Sequence, residues 1–186
     1  MNSFRIRDAA RSDLPRIVEI YNASIPGRMA TGDLSPVSVE SREAWFNAHS
    51  PAKYPLIVAE TNDRKIIGWA SLSVFFNGRA AYRHTAEVSI YVAPESCRQG
   101  VASALMDELR ARCPKQGIRS LSAWIFGHND ASKRFFEREG FTLWGKMPGI
   151  ADMDGVERDL DIYGLRLGGP PEGWAPKAQE AATGKS

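Results

Sequence analysis

The chain predicts one α/β domain built on a mixed sheet, with element order β-α-α-β-β-β-α-β-α-β-β. Three observations lead there. Short apolar runs of strand length alternate with segments of helical period. A strand at 85–92 runs through a loop carrying one glycine directly into a helix at 99–112. In 186 residues, 43% apolar and 25% charged side chains suffice for one sizeable core.

Phe4-Arg5-Ile6-Arg7 alternates as a first strand. Ser12-Asp13-Leu14-Pro15 opens a helix with a cap candidate and an early proline, and Leu14, Ile17, Val18, Ile20 and Tyr21 carry it forward. Residues 24–37 hold glycines, prolines and polar residues and read as a loop. Ser38 and Ser41 are candidate caps for a second helix through Trp45 and Phe46. Leu56–Ala59 and Ile66–Val74 are strands, and Thr61-Asn62-Asp63-Arg64 suits the turn between them. After the helix at 99–112, Lys115-Gln116-Gly117 is a stop signal. Ser120–Phe126 is the next strand. Asn129 caps a helix that runs to Arg138 and stops at Gly140, and 141–144 and 159–165 close the sheet. The prolines and glycines from Gly168 onward have no periodicity and read as a mobile tail, 168–186, behind a single domain at 1–167.

Charge narrows the partners. With 24 basic and 22 acidic residues the net charge is +2, too balanced to favour nucleic acid or an anionic membrane. No apolar run approaches the roughly 18 residues of a membrane span, and Met1–Asp8 lacks the apolar core of a signal peptide. Cys97 and Cys113 form no disulfide framework. The expected setting is a reducing cytoplasm. His49, His84 and His128 have no ligand spacing with each other or with the cysteines, so no metal is expected. Trp45, Phe46, Trp124, Phe135, Phe141 and Trp144 are expected in the core.

The stretch from Tyr91 to Met106 carries the strongest chemical signal. A strand entering a helix through such a loop aims several backbone N–H groups, and the positive end of the helix dipole, at one point. That arrangement suits a phosphate or pyrophosphate. Gly100 stands alone, so neither a Gly-x-Gly-x-x-Gly dinucleotide fingerprint nor a Gly-Lys-Ser/Thr phosphate loop is present.

Cys97-Arg98-Gln99-Gly100-Val101-Ala102, with Asn129 opening the next helix and Gly140-Phe141 closing it, resembles the GNAT superfamily of acetyl-CoA-dependent N-acetyltransferases. The loop pattern there is Gln/Arg-x-x-Gly-x-Gly/Ala, and Cys97 is the departure from it. A narrower resemblance spans residues 4–167. Tyr21-Asn22, Arg42–Phe46, Gly78–Glu87 and Gly145–Gly149 are similar to the phosphinothricin acetyltransferase branch. It departs at Phe76, Ala86 and 29–34, on the acceptor side. The resemblance implies a twisted, mostly antiparallel sheet of about seven strands flanked by about four helices. It also implies acetyl-CoA as donor, a small amine of the phosphinothricin, methionine sulfoximine or methionine sulfone type as acceptor, and a homodimer.

By the same resemblance, Arg98, Gln99, Gly100, Val101, Ala102 and Ser103 hold the pyrophosphate. Ile90, Tyr91 and Val92 offer backbone groups to the acetyl carbonyl and pantetheine arm. Asn129 and Ser132 lie near that arm, although Asn129 is also a good helix cap in its own right. Glu87, which shares a strand face with Ser89 and Tyr91, is placed to take a proton from the substrate ammonium. The alternative is a surface carboxylate paired with Arg79 or Arg83. Arg79, Tyr82 and Arg83 would recognise an acidic acceptor, since a guanidinium fork matches a phosphinate or carboxylate; the alternative is a solvated basic loop. Phe136 stands where many relatives place a tyrosine proposed to protonate the leaving thiolate. It has no proton to give, which leaves release as thiolate, or protonation by water or another residue, open. Two rivals stand beside this reading: acetylation of a protein or peptide amine, and a non-catalytic acyl-CoA-binding module. A deep pocket closed by Arg79 and Tyr82 would disfavour the first, and an open groove would favour it.

Overall fold

The computed structural model describes residues 4–168. The expected tail at 168–186 lies, except for Gly168, outside the described residues. Seven strands form one sheet in the order β1-β2-β3-β4-β5-β7-β6. In chain order the elements are β1 (Phe4–Asp8), α1 (Leu14–Asn22), α2 (Glu43–Asn47), β2 (Leu56–Thr61), β3 (Ile66–Val74), β4 (Thr85–Val92), α3 (Val101–Arg112), β5 (Ser120–Phe126), α4 (Asp130–Arg138), β6 (Thr142–Met153) and β7 (Val156–Arg166). All neighbouring pairs are antiparallel except β4 and β5. Type and order of every main element follow the sequence pattern; several bounds do not. The helix expected from 38 begins as a tight 3-10 turn at Glu40–Arg42 and becomes α-helical only at Glu43. Ser38 caps that turn, its Oγ accepting from the Ser41 N–H at 3.2 Å.

Helices cover both faces. On one, Val101, Leu105, Met106 and Leu109 of α3 pack on Ile57, Ala70, Leu72, Ala86 and Val88, with Phe136 of α4 and Phe141 closing the same cluster. On the other, Ile17 and Ile20 of α1 pack on Val58 and Trp69, and Tyr21, Trp45, Phe46 and Tyr91 border them. Covered on both sides, β3 is buried from Ile66 to Leu72. Its run Ile-Ile-Gly-Trp-Ala-Ser-Leu therefore lacks the polar alternation of a half-exposed strand.

Two expected core residues are on the surface. Trp124 is 38% exposed because α1 and α2 cover the sheet only as far as β4, leaving this face of β5 open. Trp144 is 49% exposed: its indole lies across Gly164 of β7, where an added Cβ would fall 2.0 Å from the ring. Glycine makes that seat, and the sheet edge leaves the outer face of the ring in solvent.

Candidate active site

The site opens where β4 and β5 part. Their parallel pairing covers only Thr85–Ser120, Ala86–Leu121 and Glu87–Ser122. Beyond Glu87, β4 stays paired with β3 as far as Val92–Gly68, while β5 follows β7 to Phe126–Leu160. The inner edges of the two strands separate, and backbone groups of residues 88–92 on that side have no ladder partner among the described residues. A parallel-sheet edge with free N–H and C=O groups accepts an extended, amide-bearing chain as an added strand would be accepted. A cavity of about 230 Å3 fills the split, lined among others by Glu87, Ser89, Trp124, Asn129, Ser132 and Phe136.

Glu87 sits at the apex. It is partly buried, and burial alone raises its carboxyl above the ordinary carboxylate value. Among the described residues no cation pairs with it: Arg79 and Arg83, the alternative partners, are exposed on the loop before β4. Its cross-strand neighbours on the same face are Ser73 of β3 and Ser122 of β5. A carboxylate buried among hydroxyls, without a counter-charge, can accept a proton.

The mouth of the split leads to the start of α3. A turn at Pro94–Ser96 is followed by Arg98 and Gly100, both with left-handed backbone (φ +62° and +80°). Gly100 is the N-terminal cap of α3, and no side chain bonds to the cap. An added Cβ there would meet nothing within 4 Å, so glycine serves the positive φ and the cradle stays open. The side chains turn elsewhere: Gln99 Nε2 donates to the Glu95 carbonyl at 3.1 Å, and Ser103 Oγ to Glu139 Oε1 at 2.9 Å. Val101 is buried, while Arg98 is exposed. Backbone makes this cradle. That is why Cys97, exposed with its thiol leaning on the Ala93 carbonyl at 3.6 Å, is tolerated in it.

Asn129 works at two ends. Its Oδ1 accepts from the Ser132 N–H at 3.0 Å and caps α4, while its Nδ2 donates to the Met29 carbonyl at 2.7 Å. Flanking it, His128 Nε2 donates to the Arg28 carbonyl at 2.8 Å, and from the far side of the split Tyr91 Oη donates to Ala30 at 3.0 Å. Three successive carbonyls of the loop after α1 are thus held by β4 and by the turn that joins β5 to α4, and residues 28–33 form a strap across the cavity. Arg28 extends the strap to Asp154 in the β6–β7 turn through an ion pair at 2.7 Å.

This strap, not Arg79 and Tyr82, closes the pocket. Arg79, Tyr82 and Arg83 lie on the 3-10 turns between β3 and β4 and are all exposed; Tyr82 packs against Phe75 and Phe76, with ring centroids 5.7 and 5.4 Å apart. None of the three lines either cavity; Phe76, on which Tyr82 packs, has its ring 6.4 Å from that of Trp124 in the cavity wall.

On the Glu87–Ser89–Tyr91 face, a second cavity of about 160 Å3 lies between the sheet and α1 and α2, lined by Tyr21, Arg42, Trp45, Trp69, Ser89 and Tyr91 among others. It meets the first at Ser89 and Tyr91. Trp69 stacks on Tyr91 at 4.7 Å, and the Arg42 guanidinium lies 4.8 Å over the Tyr21 ring while pairing with Asp33 at 2.6 Å. Tyr21 Oη bonds both Asp33 and Thr31. In the sequence, Tyr21 and Arg42–Phe46 stood out as helix and core positions and as family-like segments, not as parts of one site. No spacing rule joins Tyr21, Thr31, Asp33 and Arg42, because a loop brings them together.

A profile described as "Acetyltransferase (GNAT) family" matches residues 14–141. The Bacillus subtilis protein named "Putative phosphinothricin acetyltransferase YwnH" is 48% identical over 163 residues, covering 87% of this chain and 98% of that protein. An L-methionine sulfoximine/L-methionine sulfone acetyltransferase of Pseudomonas aeruginosa is 34% identical over 89% of this chain and 95% of its own length. A crystal structure of a GNAT superfamily phosphinothricin acetyltransferase from Sinorhizobium meliloti, in complex with AcCoA, superposes with a TM-score of 0.82 at 34% identity, covering 94% of this chain and 96% of that one. The split sheet, the backbone cradle and these matches agree: the chain is an acetyltransferase and belongs to the GNAT family, beside the phosphinothricin acetyltransferases.

Proposed function

We propose that the protein uses acetyl-CoA to acetylate the free amine of a small amino-acid-like acceptor of the phosphinothricin, methionine sulfoximine or methionine sulfone type. The observation that carries the chemistry is Glu87, half-buried and, among the described residues, without a counter-charge at the apex of the split. An ammonium cannot attack a thioester, and a carboxylate with a raised pKa is a competent acceptor for its first proton. Glu87 removes that proton, and the freed amine attacks the thioester carbon directly, with no acetyl group carried on the enzyme. The coenzyme supplies the activated acetyl group. Arg98, Gln99, Gly100, Val101, Ala102 and Ser103 hold its pyrophosphate through backbone N–H groups at the α3 N-terminus. The free edge of Ile90, Tyr91 and Val92 pairs with its pantetheine amides and can polarise the acetyl carbonyl. Asn129 and Ser132 border that arm. Phe136, 7% exposed beside the cavity, donates no proton to the leaving thiolate.

Arg79, Tyr82 and Arg83 on the loop before β4 recognise the acidic end of the acceptor. The reading further assigns residues 1–167 to a single domain, the active form to a homodimer and its setting to the cytoplasm. Support for a small acceptor comes from the relatives' names. Among the described residues no helix is long and apolar enough to cross a membrane, and no three His, Cys, Asp or Glu side chains group to hold a metal. The test is free-thiol release from acetyl-CoA with phosphinothricin, methionine sulfoximine, methionine sulfone and a short peptide, for wild type and Glu87→Gln. Turnover with a small acceptor that falls at least about 100-fold in Glu87→Gln is expected. Full activity of Glu87→Gln across pH, or turnover with the peptide alone, overturns the reading.

A further inference from the structure

The acceptor face of the sheet carries a polar row that the chemistry above leaves unused. Ser73 on β3 lies directly opposite Glu87 on β4, and side chains so paired have Cβ atoms about 5 Å apart on one face. Behind Ser73 stands His49, from the segment after α2, with Nε2 3.4 Å from Ser73 Oγ. His49 Nδ1 is 2.8 Å from the Trp45 carbonyl. A carbonyl only accepts, so the ring proton sits on Nδ1 and Nε2 presents its lone pair to the Ser73 hydroxyl. Trp45 packs on the imidazole with ring centroids 4.7 Å apart, fixing its plane.

We propose that Ser73 and His49 form a proton relay that takes the proton from Glu87 and delivers it to solvent, resetting the base after each turnover. This rests on Glu87 being the base. The balance requires such an exit. The acceptor ammonium loses two protons on becoming an amide, the departing sulfur takes one to become the thiol, and one proton per turnover must leave the site. Protonated Glu87 donates to Ser73 Oγ as the Ser73 hydroxyl donates to His49 Nε2. The imidazolium, partly exposed, gives its Nε2 proton to water once the Ser73 hydroxyl has turned back toward Glu87, which restores the Nδ1–H tautomer for the next turnover. Burial brings the two ends closer in basicity, raising the Glu87 carboxyl and lowering the His49 imidazole. The groups facing the row are Trp45 from α2, Trp69 and Ser71 from β3, Ser89 from β4, and Ser122 and Trp124 from β5. None of these carries charge; Arg42, which lines the adjoining cavity with Trp45, Trp69 and Ser89, is paired with Asp33, so Glu87 and His49 are the row's titrating members.

The experiment measures steady-state kcat with acetyl-CoA and the best small acceptor for wild type, Glu87→Gln, His49→Gln, Ser73→Ala and the His49→Gln/Ser73→Ala double variant, across pH and at rising imidazole concentration. A relay lowers kcat at least about tenfold in both single variants with KM for acetyl-CoA unchanged, gives no further loss in the double variant because the two act in series, and lets imidazole restore the rate. Circular dichroism confirms folding, and Ser73→Ala probes the path without touching the ring. Wild-type kcat in the single variants, or a loss that imidazole leaves unrestored, overturns the relay. If Glu87→Gln is fully active the base assignment itself fails; if Glu87→Gln is dead while His49→Gln and Ser73→Ala match wild type, only the relay fails.

Discussion

Asn129 offers a direct test of whether the strap and α4 share one anchor. Asn129→Ala removes both bonds at once, from the Ser132 N–H at 3.0 Å and to the Met29 carbonyl at 2.7 Å, at a residue 5% exposed. Losing the cap costs about 1 kcal/mol. The bond to the Met29 carbonyl, part-buried on an exposed residue, is worth about 1 kcal/mol more. The sum, about 2 kcal/mol, corresponds to a melting temperature lowered by roughly 4–8 °C for a domain of this size. Asn129→Asp separates the two roles. It keeps the cap acceptor, with a helix-dipole gain of about 0.3–1 kcal/mol, and loses only the donor to Met29, for a net cost of about 0–0.7 kcal/mol. Urea unfolding measures stability, and tryptic cleavage after Arg28, inside the strap, measures its release. Both variants are expected to be cut faster than wild type, with Asn129→Asp the more stable of the two. Wild-type cleavage rates in both variants, or Asn129→Asp as unstable as Asn129→Ala, would refute the shared anchor.

Two further perturbations test the frame. Glu60, buried and bonded by Arg5 at 2.6 Å and Arg7 at 2.8 Å, has its carboxyl held down at about 2. A depressed folded-state pKa stabilises the fold above the unfolded value near 4.5 and loses that contribution as pH falls toward 2. The urea midpoint of wild type should therefore drop through this window, and that of Glu60→Gln should drop less; equal slopes would show that the pairs contribute nothing. Gly100→Ala meets no atom within 4 Å but forces a Cβ onto φ +80°, costing about 1–2 kcal/mol. A melting temperature unchanged from wild type would show that the positive φ is not required.

How much could be read ahead depended on how local each signal was. The helical run Leu14, Ile17, Val18, Ile20 and the cap at Asn129 are stated within a few residues, and both elements stand where the pattern put them. Gly100 and its helix start are equally local. Trp124 and Trp144 misled because apolar character reports a preference for burial, while coverage depends on which helix lies over which strand. α1 and α2 stop short of β5, and Gly164 supplies an outside seat. The strap was legible only as a loop: no spacing announces that the carbonyls of 28–30 will be caught by His128, Asn129 and Tyr91, two of them about a hundred positions away.

By itself, then, the sequence determined the chain order of strands and helices, the glycine turn that opens α3 at Gly100, and a carboxylate at the head of a strand. These follow from period, turn chemistry and residue type, which act over a handful of neighbours. Only the tertiary structure decided that β4 and β5 part after Glu87, that this carboxylate is half-buried with no counter-charge among the described residues, and that Ser73 and His49 stand behind it. The physical reason is that burial, splay and cross-strand pairing are set by contacts between residues far apart in the chain. The same glutamate two residues beyond a continuous pairing, or beside a reaching Arg83, would be an ordinary surface charge.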